Sequence, residues 1–381
     1  MDPVGVLFLT NSLPVGGFET HLLSIVREMD KESFRPVIAC LKSGGPLESE
    51  FLDAGIPVHT RVQKWKLDPF GLLRLASIMR RENISVLDTD LQRNTVFLGA
   101  LAADLAKVPV KVVSVHATAR VGRSRLVEWP ARISMGRIDR TVALASVHRD
   151  LLIHQEQLDP DRIVVLWNGV DVDAFSPGSP PGNLREALGI AEGSPVVAIV
   201  ASLYPDKGHD VFLTAAARVV NKHPNAAFIV IGEGPDREKL EEMTKKKGLA
   251  DAVHFLGRRR DLPDLLRLTD INVLSSYPFR ETFPISILEA MACGNPTVTT
   301  RVGALSDIVA HQETGYLFDV GDADALAEAL IRLLDDPELR TRMGRAARSR
   351  AEDLFSIQKT VRGREQFYRQ LLAEKGGGSA T

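Results

Sequence analysis

The chain has 381 residues, more than one hydrophobic core usually organises, so two domains of comparable size are expected. It is 44% hydrophobic and 25% charged, with 47 basic against 49 acidic residues and a formal net charge of −2, which excludes a disordered chain and bulk affinity for nucleic acid. The two cysteines, Cys40 and Cys293, lie far apart in apolar runs, which excludes a disulfide framework or a cysteine metal site and fits a reducing cytoplasm.

The first residues, "DPVGVLFLT", lack a basic n-region, and their apolar run is too short for a signal peptide; no later run reaches membrane-spanning length. "VGVLFLT" reads as a strand. It precedes a helix from about Phe18 to Met29, in which Leu22, Leu23, Ile25, Val26 and Met29 follow helical spacing. Between them stand Gly16 and Gly17, which allow backbone amides to approach an anion closely, and Glu19, an acid at the helix start. Taken alone, the glycines could equally form an ordinary turn and Glu19 could be a simple dipole acid.

The strands continue with "RPVIACL", "IPVHT", "ISVLDTD", "VKVVSVH", "RTVAL" and "RIVVLW", with helical segments between most of them. The same alternation resumes with "PVVAIVA", "AAFIVIG", "AVHFLG", "DINVLSS", "NPTVTT" and "TGYLF". Strands this apolar, separated by helices, point to parallel sheets covered on both faces. The interruption at Asn168–Asn183, dense in Gly, Pro, Asp and Ser, is the linker candidate. The expected fold class is therefore α/β: two doubly wound Rossmann-like domains over 1–168 and 169–355, with a cleft between the carboxyl ends of their sheets where ligands bind. A last helix over 356–375 carries Ile357, Val361, Tyr368, Leu371 and Leu372 on one face and is free to dock on either domain; 376–381 reads as a flexible tail.

In "RETFPISILEA", Glu281 and Glu289 stand eight positions apart. "YPFRET" reads as the loop after a strand and "PISILEAMACG" as the next helix, with Pro284 in its first turn. Glu281 then lies in the loop and Glu289 more than a turn into the helix, with the free N–H groups of the helix start between them. Two carboxylates beside an anion site suit hydroxyl-rich groups flanking a diphosphate. An isolated pair would more simply be a dipole acid and an exposed mid-helix glutamate.

"RETFPISILEAMACGNPTVTT" resembles the signature of retaining GT-B glycosyltransferases of the family 4-like (E-x7-E) group, which includes bacterial sugar transferases and sucrose synthases. "NSLPVGGFETHLL" is similar to that family's glycine-rich first loop, "NGVDVDAFSP" to its linking segment and "LYPDKGHD" to its Lys-Gly phosphate loop. "IGEGPDREKLE", "VHFLGRRRDLPDLL" and "TGYLFDVGDADALAEAL" follow in the family's order, so the likeness covers nearly the whole chain.

The resemblance implies a metal-independent hexosyl- or N-acetylhexosaminyltransferase that moves a sugar, with retention, from a nucleotide-diphosphate sugar to a hydroxyl. A UDP-sugar is the expected donor, and the acceptor a glycan, lipid-linked or small molecule. It places Glu289 on the ribose hydroxyls and Glu281 on the donor sugar, helped by backbone N–H groups near Thr282 and Phe283. Lys207 would neutralise the diphosphate leaving group; alone it could be a solvated turn lysine. Gly16, Gly17 and Arg258 join the donor-binding set, and His116 would hydrogen-bond near the anomeric carbon. Ser202 stands where the family usually has an arginine, supplying a hydroxyl without charge. No cofactor is expected beyond the donor. Retaining members are thought to react on one face of the sugar, the departing β-phosphate accepting the acceptor's proton, and no Ser/His/Asp or Cys/His arrangement is evident here.

Asp88-Thr-Asp90 imitates a D-x-D metal motif; such matches arise by chance, and Asp90 is read, with Glu19, as an acceptor contact. The segment 120–140 holds Arg120, Arg123, Arg125, Arg132, Arg137 and Arg140 among apolar residues. It reads as a solvated basic face or as peripheral contact with an inner membrane surface. The rivals to a transferase are a nucleotide-sugar epimerase and a non-catalytic nucleotide-sugar-binding protein. A nicotinamide dehydrogenase would need G-x-G-x-x-G, which "GGFETH" lacks.

Overall fold

A computed structural model describes residues 2–65, 68–116, 134–278 and 281–377. Its first strand, β1 (Val4–Thr10), shows how the architecture arises. Side chains alternate across a strand, so Val6 and Phe8 enter one core while Leu7 and Leu9 enter another. A strand with apolar residues on both faces must be covered on both, and connections through helices keep its neighbours parallel.

Beside β1 lie β2 (Phe34–Cys40), β3 (Val58–His59), β4 (Ile84–Asp90), β5 (Val110–Ser114), β6 (Arg140–Ala143) and β7 (Ile163–Val165), in the order β3-β2-β1-β4-β5-β6-β7, with every pairing parallel. The order turns back beside β1, the switch point at which such sheets open a crevice at their carboxyl ends. The helix Gly17–Glu28 starts there.

The second sheet repeats the plan with β8 (Val196–Val200), β9 (Ala227–Ile231), β10 (Val253–Gly257), β11 (Ile271–Leu274), β12 (Thr297–Thr300) and β13 (Gly315–Phe318). Its order is β10-β9-β8-β11-β12-β13, again all parallel. Along β8, Val197 and Ile199 pack into one core and Val196 and Ala198 into the opposite one.

The chain divides into two compact units, Met1–Asn168 with Ile357–Thr381, and Gly169–Ser356. The first is therefore discontinuous. The helix Ile357–Gly377 packs Ile357, Val361, Phe367, Tyr368 and Leu371 into the core shared by β1 and the helix Gly17–Glu28. It also carries a charge inward. Arg364 and Tyr368, both buried, bond to Asp88 Oδ2 at 2.5 Å each, and Ser114 Oγ donates to Asp88 Oδ1 at 2.8 Å. An ion pair this deep repays its desolvation only in part unless its other polar atoms are satisfied; the hydroxyls of Tyr368 and Ser114 do that for Asp88, while Arg364 Nε has no partner among the described residues. Among the described residues, no helix is long and apolar enough to cross a membrane. Residues 120–133 of the arginine-rich segment 120–140 lie outside the described residues.

Candidate functional site

In the second unit, the segment after β8 is shaped by close backbone contacts. Pro205–Lys207 form a single 3-10 turn, and Gly208 follows with φ +67°. A Cβ at Gly208 would lie 1.9 Å from the Ser275 carbonyl oxygen, so glycine is required by conformation and space alike. Ser275 Oγ donates to the Gly208 carbonyl at 2.7 Å, and the Tyr277 amide donates to the Asp206 carbonyl at 2.8 Å. The turn after β8 is thus pinned to the one after β11, and Lys207 is aimed by both.

Glu281 lies just beyond β11 and is 6% exposed. Its Oε2 accepts from Lys207 Nζ at 2.7 Å and from Ser276 Oγ at 2.7 Å. Thr300 Oγ1 donates to the Ser276 carbonyl at 2.8 Å, so β12 braces the residue that braces Glu281. Gly303, with φ +53°, lets its segment pass against the Glu281 carbonyl, which a Cβ would approach to 2.3 Å. The Lys207 side chain is 19% exposed, leaving its ammonium able to take a further acceptor.

The following helix is Ile285–Ala292, so Pro284 precedes it as the capping residue instead of occupying the first turn. A proline lacks an N–H, and its extended ψ of 122° turns the chain into the helix. No side chain caps this start, which leaves its first amides directed at whatever lies before them. Thr282 and Phe283 are buried immediately upstream, and Phe283 packs edge-on against Phe355 with ring centroids 5.7 Å apart. Glu289 is half-buried, and its carboxylate has no hydrogen-bond partner among the described residues. Burial pushes its pKa up to about 7.

Ser202 is exposed, as is Arg258 after β10. The turns after β8 and β9 interlock, because Cβ atoms at Gly232 and Gly234 would lie 2.0 Å from the Ala201 carbonyl and 2.3 Å from the Leu203 carbonyl. Ser202, Lys207, Arg258, Glu281, Thr282, Phe283 and Glu289 therefore all sit on turns or the helix that follow the carboxyl ends of the second sheet's strands.

His209, which the sequence reading passed over, opens the helix His209–Lys222 directly after Gly208. It is buried, neither ring nitrogen has a partner among the described residues, and burial lowers its pKa to about 4. Its position directly after Lys-Gly at a helix start was the signal available for finding it.

In the first unit, Gly16 precedes the helix Gly17–Glu28 in extended conformation, and a Cβ there would lie 2.5 Å from Glu19 Oε2. Gly17 is exposed with open space beside it. Burial raises the Glu19 pKa, a backbone hydrogen bond opposes this, and the charge of Asp90 adds to the rise. His116 lies two residues beyond β5, its ring 4.1 Å from that of Phe18 and tilted by 39°. Its pKa is held well below the ordinary value by burial first, with Arg364 nearby. Asp90 is buried, accepting from Thr10 Oγ1 at 3.0 Å, Gln92 Nε2 at 2.8 Å and the Thr95 hydroxyl. Its carboxylate orders the loop after β4, while Asp88 is committed to Arg364. The two aspartates of the D-x-D stretch thus hold the protein's own groups.

Residues 15–174 match the family model described as Glycosyltransferase Family 4, and residues 182–350 match that of the glycosyl transferases group 1. A D-inositol 3-phosphate glycosyltransferase of Corynebacterium glutamicum is 32% identical, covering 94% of this chain and 93% of its own. A UDP-Gal:alpha-D-GlcNAc-diphosphoundecaprenol alpha-1,3-galactosyltransferase of Escherichia coli is 28% identical, over 91% of this chain and 92% of its own. Among solved structures, Anabaena HepE in complex with UDP aligns with a TM-score of 0.82 at 21% identity, covering 96% of this chain and all 100% of that one. A glycosyltransferase from Rickettsia africae aligns at 0.84 with 20% identity, covering 98% and 99%. At that identity these structures establish the shared GT-B fold. Two parallel sheets, two family models in tandem and a relative matched almost end to end place the chain in the group 1 and family 4 glycosyltransferases.

Proposed function

We propose that this glycosyltransferase moves a hexosyl or N-acetylhexosaminyl group from a UDP-sugar to a hydroxyl with retention and without a metal ion. The observation that carries this reading is the Lys207–Glu281 pair, fixed at 2.7 Å beside an uncapped helix start. Lys207 and the amides at Ile285 form an anion site for the diphosphate, Glu281 accepts from a sugar hydroxyl, and Glu289 accepts from the ribose hydroxyls. The ligand of HepE, UDP, and the donor of the Escherichia coli galactosyltransferase, UDP-Gal, favour uridine.

In the proposed reaction, the bond between the anomeric carbon and the β-phosphate oxygen breaks, leaving UDP, and the acceptor oxygen bonds that carbon on the same face. The acceptor's proton passes to the departing phosphate oxygen. Lys207 stabilises the negative charge that develops there, a contribution that is usually worth about 10²–10³ in rate when a single such donor is lost. Ser202 offers a hydroxyl in the same role without charge. His116, Gly16, Gly17, Glu19 and Asp90 belong to the first unit, where Glu19 and the loop that Asp90 orders are assigned to the acceptor. That acceptor is a glycan, lipid-linked or small-molecule hydroxyl, and the protein is assigned to the cytoplasm, with the inner membrane surface as a peripheral partner through 120–140.

The test is nucleotide release from a panel of UDP-, GDP-, ADP- and dTDP-sugars, with and without EDTA. Release from UDP-sugars that resists the chelator and falls about 10²–10³-fold in Lys207→Ala and Glu281→Ala is expected. Loss of release on chelation overturns the metal-independent reading, and tight donor binding with no release from any acceptor mixture replaces the transferase with a binding protein.

A further inference from the structure

The amino ends of the second sheet hold a separate feature. Thr269 and Asp270 lead into β11, and Asn295 and Pro296 lead into β12; between these turns and the helix Pro337–Phe355 opens a groove of about 420 Å3. Lys207 and Glu281 follow the strands' other ends, so the length of β11, roughly 13 Å for its four residues, separates them from the groove, while Glu289 lies one helical turn before Cys293 in its lining.

The groove is built for negative charge. Arg267, Arg340, Arg345 and Arg348 line it, against the carboxylates of Asp270 and Glu352. Arg348 is immobilised, its Nη1 donating to the carbonyls of Val172, Phe175 and Ala292 at 2.8, 2.8 and 2.7 Å, with Glu352 2.6 Å from Nη2. Arg267 is held by the carbonyls of Ser176 and Ala174 and by Asp264, and Arg340 by the Leu333 carbonyl with Asp270 at 3.5 Å. Arg345 is different. It is exposed and, among the described residues, bonded to nothing.

A second observation is independent of charge. Asn295 is 5% exposed, and its Nδ2 donates to the Thr269 carbonyl at 2.7 Å, but its buried Oδ1 has no partner. Leaving a buried acceptor unmatched costs about 1–3 kcal/mol. A ligand that brings a hydroxyl removes that cost, and one that brings a phosphate answers the charge of Arg345, the guanidinium left over once Asp264, Asp270 and Glu352 are set against Arg267, Arg340 and Arg348.

We propose that this groove binds a hydroxylated phosphate monoester, its phosphate held by Arg345 beside Arg340 and a hydroxyl donated to Asn295 Oδ1. Such a group occurs in free polyol or sugar phosphates and in the headgroup of lysophosphatidic acid. The site is separate from the donor site and does not rest on the proposed reaction.

The test uses the full chain in excess UDP, so that anion sites serving the nucleotide are filled, and titrates glycerol 3-phosphate calorimetrically at low salt. Glycerol and inorganic phosphate are the controls. In parallel, flotation is measured with phosphatidylcholine vesicles with and without lysophosphatidic acid, which keeps one glycerol hydroxyl beside its phosphate monoester. Saturable binding of the ester, weakened at least about tenfold by Arg345→Glu with UDP affinity unchanged, supports the site. Arg345→Lys, which keeps the charge and loses the forked donor, should retain part of the affinity. Flotation that depends on lysophosphatidic acid and on Arg345, without binding of the soluble ester, assigns the phosphate to a lipid headgroup. The proposal falls if neither probe binds, if Arg345→Glu leaves binding unchanged, or if inorganic phosphate binds as tightly as the ester. Should UDP itself fail to bind, the comparison of Arg345 variants is read unchanged.

Discussion

Glu289 is a half-buried carboxylate with no partner among the described residues and a pKa pushed up to about 7, so the protein carries the burden of ionising it near neutrality. The folded state binds this proton more tightly than the unfolded chain. Its contribution to stability is therefore fully present below pH 4.5, declines as pH rises, and is gone above about 7. Glu289→Gln removes that dependence. The variant should melt above wild type at pH 8 and level with it near pH 5, while losing donor affinity at pH 8 if the carboxylate receives ribose hydroxyls. Differential scanning calorimetry and UDP titration at the two pH values check both halves. In wild type, donor affinity should rise as pH passes through about 7, because only the ionised form is a full acceptor for two hydroxyls. Little of this was legible in the sequence. The spacing of Glu281 and Glu289 marked both as candidates, but their contrast, one bonded to Lys207 and Ser276 and the other with none, depends on neighbours 74 and five positions from Glu281. Asp88 and Asp90 illustrate the same limit: a short motif does not reveal that Arg364, 276 positions from Asp88, has claimed the first of them.

At the level of elements, the strands were legible almost to the residue. "VGVLFLT" and "ISVLDTD" are β1 and β4 end to end, and every apolar run read as a strand overlaps one. Runs buried on both faces announce themselves by unbroken hydrophobicity. The turns were less legible, because their shape is set by contacts between segments distant in the chain. Gly208 is the clearest case, with a left-handed backbone and no room for a Cβ against Ser275. Gly208→Ala should cost about 2–4 kcal/mol and shift the turn that carries Lys207. Chemical denaturation measures the first effect. The second predicts a larger loss of nucleotide release than of stability at a temperature where the variant remains folded. An alanine variant that is stable and fully active would mean that Lys207 is not positioned through this turn.

For the whole molecule, the deciding feature is the helix Ile357–Gly377, which belongs to the first unit although it follows the second in sequence. Its apolar stripe was plain from the sequence, yet the stripe fits any open core. What selects the partner is the buried set of Arg364, Tyr368 and Asp88. Arg364→Met leaves Asp88 buried without its cation and should destabilise the first unit by about 3–5 kcal/mol; adding Asp88→Asn should restore part of that loss. Unfolding monitored by a probe in each unit separates the outcomes: the second unit, Gly169–Ser356, should melt as in wild type. Equal destabilisation of both would mean that the two units unfold as one.

The same helix sets an order on biosynthesis. As the chain leaves the ribosome, residues 169–356 emerge as a continuous stretch and can close their core, while the unit begun earlier still lacks residues 357–377. The first-made sheet thus waits, with the apolar surface destined for Tyr368 and Leu371 uncovered, through the synthesis of the whole second unit. Translation that stalls before residue 357 would release a chain whose later half is sound and whose earlier half is sticky, the reverse of the usual vectorial pattern.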